Sequence, residues 1–284
     1  MRGKRQQGLA LITVLLVMAL VVMLVAGMLR SHQLLIASVA QQSEASRGLQ
    51  LLVAAEHRAL ASLRERLREE MRVVHGRQPW AQPQRFSLGG VHLRVQAEDL
   101  AARFNLAALT RNRTPDPVLL ERWQRLCGAL GVTPPDLAAL HGQPFFDVSQ
   151  LRELPGVDAG VLARLRPWVT VLPAQAGLNI NTADERVLTA LEGVTSASAR
   201  QLVEARPEDG HASVQAFLQS PLLDGQVATG RGLAVGSRWF GVTLQADLEG
   251  RRMFLYSEVE MDFETKRLRV LRRAFSTVRK AGIE

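Results

Sequence analysis

Cysteine is nearly absent from this chain of 284 residues: Cys127 stands alone, so no internal disulfide can form, which many exported bacterial proteins also lack. Tyrosine occurs once, and aromatic residues make up 5% of the whole. The four tryptophans, Trp80, Trp123, Trp168 and Trp239, are scattered, which favours packing over a stacking platform for bases. None of the histidines (His32, His57, His75, His92, His141 and His211) forms an i,i+4 pair of the kind that holds a metal on one helix face. No nucleophile elbow occurs, and Gly230–Gly236 (GRGLAVG) lacks dinucleotide spacing. Cys127, inside an apolar run, reads as a small core residue. These absences leave catalysis without a candidate residue and point away from an enzyme. The net charge is +8, from 35 basic and 27 acidic side chains, basic but short of the footprint of a dedicated nucleic-acid binder.

Charge is missing altogether from Leu9 to Leu29, where only Thr13 and Gly27 interrupt the apolar side chains. As a helix this run is about 31 Å long, enough to cross a hydrocarbon core of about 30 Å. Arg2, Lys4 and Arg5 precede it and Arg30 follows, so the positive-inside rule keeps the short N-terminus in the cytoplasm and the bulk of the chain outside. Three fates are open to such a segment: an excised signal, a permanent anchor, or a leader cut ahead of a retained helix. Signal cleavage at Ala37–Ala40 (ASVA) is disfavoured by the length of the apolar run and by Arg30 and His32 in between.

Apolar residues continue at three- and four-residue steps through Leu49, Leu52, Leu60, Leu63, Leu67, Met71 and Val74, predicting one helix from about Leu9 to Val74 with Glu56, Arg58, Arg64 and Glu65 on its solvated side. Gly76, Pro79 and Pro83 end it. Two short strands then flank Gly89–Gly90, and three more occupy the C-terminal stretch. The middle is helical in texture and holds two related stretches, LRELPGVDAGVLARLRPWVTV and LTALEGVTSASARQLVEARP, each a helix end, a glycine hairpin and a second helix.

RQQG/LALITVLL at residues 5–16 resembles the processing site of type IV pilins and type II secretion pseudopilins. That resemblance implies cleavage after Gly8 by a prepilin peptidase, Leu9 as a new and methylated N-terminus, and retention of the helix for packing in a filament core. Most such proteins carry Glu at the fifth mature position; here it is Thr13, which cannot neutralise a neighbour's ammonium. With the segments RFNLAAL (Arg103–Leu109) and NINTAD (Asn179–Asp184), the chain resembles, nearly end to end, the K subunit of type II secretion. The implied fold is α+β and pilin-like: a long N-terminal helix and antiparallel sheet, interrupted by a large inserted all-α domain. Its expected divisions are a leader at 1–8, a membrane helix at 9–29, the first pilin-like part at 30–103, the insertion at 104–232 and the second part at 233–284. The implied role is a minor pseudopilin capping the periplasmic pseudopilus with the minor pseudopilins I and J, single-pass in the inner membrane and supporting export of folded proteins.

The paired stretches also resemble helix-hairpin-helix modules, whose glycines expose N–H groups to phosphate, so a membrane-anchored DNA-uptake protein is the alternative. Arg164, Arg166, Arg200 and Arg206 would serve it, but Asp158 and Thr195 stand where a second hairpin glycine is usual, and no nucleic-acid partner is expected. Calcium is associated with an acidic loop in K subunits. The corresponding stretch offers only Asp136 and Asp147 as carboxylates, against the six to eight oxygens calcium takes, so no metal or other cofactor is carried over.

Overall fold

The computed structural model describes residues 3–67, 72–110, 116–137, 145–223, 228–248 and 251–279, and side chains within these except at 3–13, 34, 36–45 and 278–279. The chain divides into two compact units, residues 1–53 and 54–284. Helix α1 (Gly3–Leu67) provides all the described structure of the first. Within it Val14–Gln33, with a mean hydropathy of 2.4, is long and apolar enough to cross a membrane, and none of it is buried.

The second unit is built on a five-stranded antiparallel sheet in the order β1-β2-β7-β8-β9. Strands β1 (Gln84–Leu88) and β2 (Val91–Asp99) form a hairpin, closed by Gly89 and Gly90 at φ 57° and 77°, values that a side chain rarely tolerates. Strands β7 (Trp239–Leu248), β8 (Arg251–Asp262) and β9 (Arg267–Arg279) form the C-terminal meander. Along β8 the odd positions Met253, Leu255, Ser257, Val259 and Met261 are buried, the period-two pattern of a sheet with one covered face.

The last turns of α1 bury Ala55, Ala59, Leu63 and Leu67 against that face. Arg58 stacks over Phe86 of β1, and Ser62 donates to Gln84 at 3.1 Å. Glu56, expected on the solvated side, is fully buried: it receives Ser257 Oγ at 2.5 Å and Arg273 Nε at 2.9 Å. Its place three residues before Ala59 puts it on the covered stripe, and the arginine from β9 makes that burial tolerable.

The helix also ends sooner than its periodicity suggests. It is helical to Leu67, Met71 lies outside the described residues, and Val74 is not helical, its N–H donating to Val235 O at 2.9 Å. Gln78 ties this segment down by donating to Val73 O at 2.9 Å and accepting from Trp80 Nε1 at 2.7 Å.

Between β2 and β7 lies a mostly helical segment with α2 (Ala107–Thr110), α3 (Pro117–Ala129), α4 (Ala159–Leu165), α5 (Glu185–Leu188), α6 (Ser196–Glu204) and α7 (Val214–Leu218). It is not purely helical. Two parallel two-residue ladders join β3 (Phe104–Asn105) to β4 (Val169–Thr170) and β5 (Leu178–Asn179) to β6 (Leu233–Ala234), too short to show any alternation in sequence. Its core has two halves. Leu106, Trp123, Leu126, Leu151 and Leu165 centre one, and Ile180, Leu188, Leu191, Leu202 and Phe217 centre the other.

Candidate functional site

Gly8, Leu9 and Thr13 all lie within α1, a helical setting in which successive residues turn by about 100°. Their side chains lie outside the described residues.

Both asparagine motifs are structural hubs. Asn105, in RFNLAAL, donates to Pro173 O at 3.0 Å and accepts from Leu172 N at 3.0 Å, fastening β3 to the turn after β4. Asn179, in NINTAD, donates to Val74 O at 2.9 Å and Asp99 Oδ2 at 2.7 Å. Thr182 Oγ1 donates to the same Asp99 oxygen at 2.6 Å, and Ala101 N to the other at 2.9 Å. Asn181 accepts from His211 N at 2.7 Å and donates to His211 O and Val235 O. Burial pushes the Asp99 carboxyl above its ordinary range, opposed by hydrogen bonds from Ser237, Thr182, Asn179 and Ala101. One cluster thus joins the end of β2, the segment after α1 and the helical insertion.

A second buried link holds the two halves of the insertion together. Arg122 of α3 meets Glu192 through Nε at 2.8 Å and Nη2 at 2.9 Å, the bidentate fork geometry. The guanidinium also donates to the carbonyls of Thr229 and Arg231. Burial acts to raise the Glu192 carboxyl, but the hydrogen bonds and charge of Arg122, with two backbone N–H groups, hold it below its ordinary range. The sequence reading missed both clusters. Asn179 and Asn181 flanking Ile180 in an apolar stretch were the available signal, whereas nothing local pairs Arg122 with Glu192.

In the hairpin units Gly156 and Gly193 have φ of 78° and 73°, as a tight turn requires. Asp158 and Thr195 are the N-caps of α4 and α6, accepting from Val161 N at 2.7 Å and Ser198 N at 3.2 Å. One first-turn amide of each helix is therefore taken by the chain's own side chain, and at α4 that side chain is a carboxylate, which repels phosphate. Of the four arginines singled out for DNA, Arg164 donates to Gly131 O at 3.0 Å, Arg200 pairs with Glu185 at 3.4 Å, and Arg206 donates to Ala183 O. Arg166 lines a cleft with Glu98, Asp147 and Glu258. Each of the four is thus engaged by the chain itself or set beside carboxylates, and nothing here supports DNA binding.

Of the weak metal candidates, Asp147 caps a 3-10 turn (Val148–Glu153) through Ser149 N at 2.7 Å and pairs with Arg272. Asp136 is exposed and lies elsewhere, just before residues outside the description. Among the described residues, no three of His, Cys, Asp and Glu gather in a metal-binding arrangement. Burial pushes the Cys127 thiol up to about 12, which keeps it unreactive.

Comparison with known proteins gives a single direction. The family described as type II secretion system (T2SS), protein K matches residues 178–236, and a second model of the same description matches residues 133–174. The type II secretion system protein K of Pseudomonas aeruginosa is 33% identical over 309 residues, covering 94% of this chain and 92% of its own. The protein of that description from Klebsiella pneumoniae is 29% identical over 77% of this chain and 81% of its own. A solved chain in the GspK-GspI-GspJ complex of the type 2 secretion system of enterotoxigenic Escherichia coli aligns with a TM-score of 0.71 at 26% identity. That alignment covers 84% of this chain and 99% of that one.

Proposed function

We propose, for a chain that belongs to the type II secretion system protein K family and is thus a minor pseudopilin, that it caps the tip of the periplasmic pseudopilus together with the minor pseudopilins I and J. The observation that carries this reading is the likeness, over nearly the whole of that chain, to one solved in complex with GspI and GspJ. The role is assembly rather than catalysis, in support of exporting folded proteins.

The apolar segment Val14–Gln33 fits a single inner-membrane anchor with the remainder in the periplasm. In this reading a prepilin peptidase removes residues 1–8, Leu9 becomes the methylated N-terminus, and Thr13 occupies the fifth position where most pseudopilins carry Glu. A subunit without that acid has no carboxylate to offer a preceding subunit's ammonium, which suits a place with nothing ahead of it. The body is pilin-like, and the insertion, taken as residues 104–232, gives it the bulk to obstruct another subunit above. The hairpin units within it serve as scaffolding.

Co-purification of the full-length chain in detergent with subunits I and J tests the assembly reading; failure to recover a ternary complex, with each subunit folded, would overturn it. Processing is tested by mass spectrometry of the chain expressed with and without the peptidase. The expected product begins at Leu9 only when the peptidase is present, and Gly8→Val should abolish it. A product that still begins at Met1 with peptidase present overturns the cleavage assignment.

A further inference from the structure

The sheet face turned away from α1 is treated differently at its two ends. The strand register sets Arg85 of β1 directly opposite Arg94 of β2, Arg94 opposite Gln245 of β7, and Gln245 opposite Phe254 of β8. Arg85 and Arg94 are exposed, while Phe86 and Leu93, one step along, turn to the α1 side. Like charges directly opposite on paired strands repel. Neither guanidinium has an ion-pair partner among the described residues, and Asp247, which lines the same groove, is engaged by Arg252 at 3.2 Å. At the other end of this face the signs alternate: Arg103 meets Glu98 at 2.6 Å and Arg272 meets Glu258 at 2.7 Å. The fold neutralises its arginines where the insertion approaches and leaves two unneutralised where it does not.

We propose that the Arg85–Arg94 pair is a docking site for a carboxylate-bearing surface of a companion pseudopilin. The identity of the partner rests on the tip reading above; its chemistry follows from the groove. The pair lines an open groove of about 510 Å³ with Ser87, His92 and Gln245, and Ser87 Oγ and His92 Nδ1 share a hydrogen bond of 2.9 Å. Two planar forks on adjacent strands can each take a carboxylate bidentately, and hydroxyl and amide groups beside them suit a protein surface. Nucleic acid or an anionic membrane draws its affinity from many phosphates, whereas this groove offers two uncompensated cations. An acidic surface also relieves the cross-strand repulsion, so the free protein holds a cost that binding removes.

The test uses Arg85→Gln/Arg94→Gln in the full-length detergent-solubilised chain, captured by the purified I–J pair. The wild type should lose affinity steeply as salt rises from about 0.05 to about 0.5 M. The variant should bind roughly tenfold or more weakly at low salt, with a much flatter salt response. Its melting temperature should stay level or rise, which a merely structural role for these arginines would not allow. Arg85→Lys/Arg94→Lys should recover only part of the affinity, since the charge returns without the fork. Variant affinity within twofold of the wild type overturns the inference while leaving the tip reading standing. A wild type that captures no pair at any salt overturns the tip reading, and with it the partner assigned here. Loss of binding to phosphatidylglycerol vesicles with capture of the pair unchanged also overturns it, making the patch a lipid contact.

Discussion

Asn179 uses both ends of its amide, donating to Val74 O and Asp99 Oδ2 and accepting from Asn181 N. Asn179→Ala strands two buried groups, the Val74 carbonyl and the Asn181 N–H, while Thr182 still serves Asp99 Oδ2; at ~1–3 kcal/mol each, urea unfolding should show a loss of about 2–4 kcal/mol with little change in m-value. At the Arg122–Glu192 fork, removing one partner leaves a buried charge, and Glu192→Ala should cost roughly 3–5 kcal/mol. Arg122→Met/Glu192→Leu should recover part of that, because the stranded charge is gone while the carbonyls of Thr229 and Arg231 still lose their donor. The fork is also acid-sensitive. Glu192 titrates below its ordinary value of 4.5 in the folded protein, so its contribution is complete above that pH and is lost as pH falls through the lower folded-state value. Denaturation midpoints measured from about pH 6 down to about pH 3 should fall for the wild type and fall less for Glu192→Gln.

The hairpins divide their labour between conformation and capping. Nothing lies within 4 Å of a Cβ built on Gly156, yet its φ is +78°, so Gly156→Ala should cost only the left-handed strain of ~1–2 kcal/mol. Asp158→Ala and Thr195→Ala each remove a cap and should cost ~1 kcal/mol, readable as lower melting temperatures in circular dichroism. Elements of this kind were legible in the sequence: the β1–β2 hairpin announced itself through Gly89–Gly90 between alternating residues. The wider apolar stripe of α1 was legible too, but the burial of Glu56 was not. Its carboxylate is stabilised by Arg273, which lies 217 positions away, and no local pattern carries a partner at that distance. The same holds for the motif asparagines, whose positions were conspicuous while their partners were not. The premature end of α1 belongs here as well, since Val74 follows periodicity until a carbonyl from beyond the insertion captures its amide.

At the scale of the whole molecule, the sheet and the insertion depend on one another through Asp99, Asn179 and the β2–β7 seam. Phe240 sits opposite Asp99 in that seam, although about half of the chain runs between them. Bringing the ends of so long a loop together costs roughly 4 kcal/mol before any strand contact forms. An insertion that folds first shortens that loop. Refolding followed by stopped-flow fluorescence should then show Leu188→Ala, in the insertion core, slowing folding, while Phe275→Ala, on the exposed strand β9, mainly accelerates unfolding. Time enters as well, because the ribosome delivers the strands in order. At about 5–20 residues per second the β1–β2 hairpin is finished on the order of 10 s before β7 exists to cover its inner edge. Throughout that interval the backbone edge of β2 that β7 will cover stays open to mispairing, and an insertion that folds early would shorten the search.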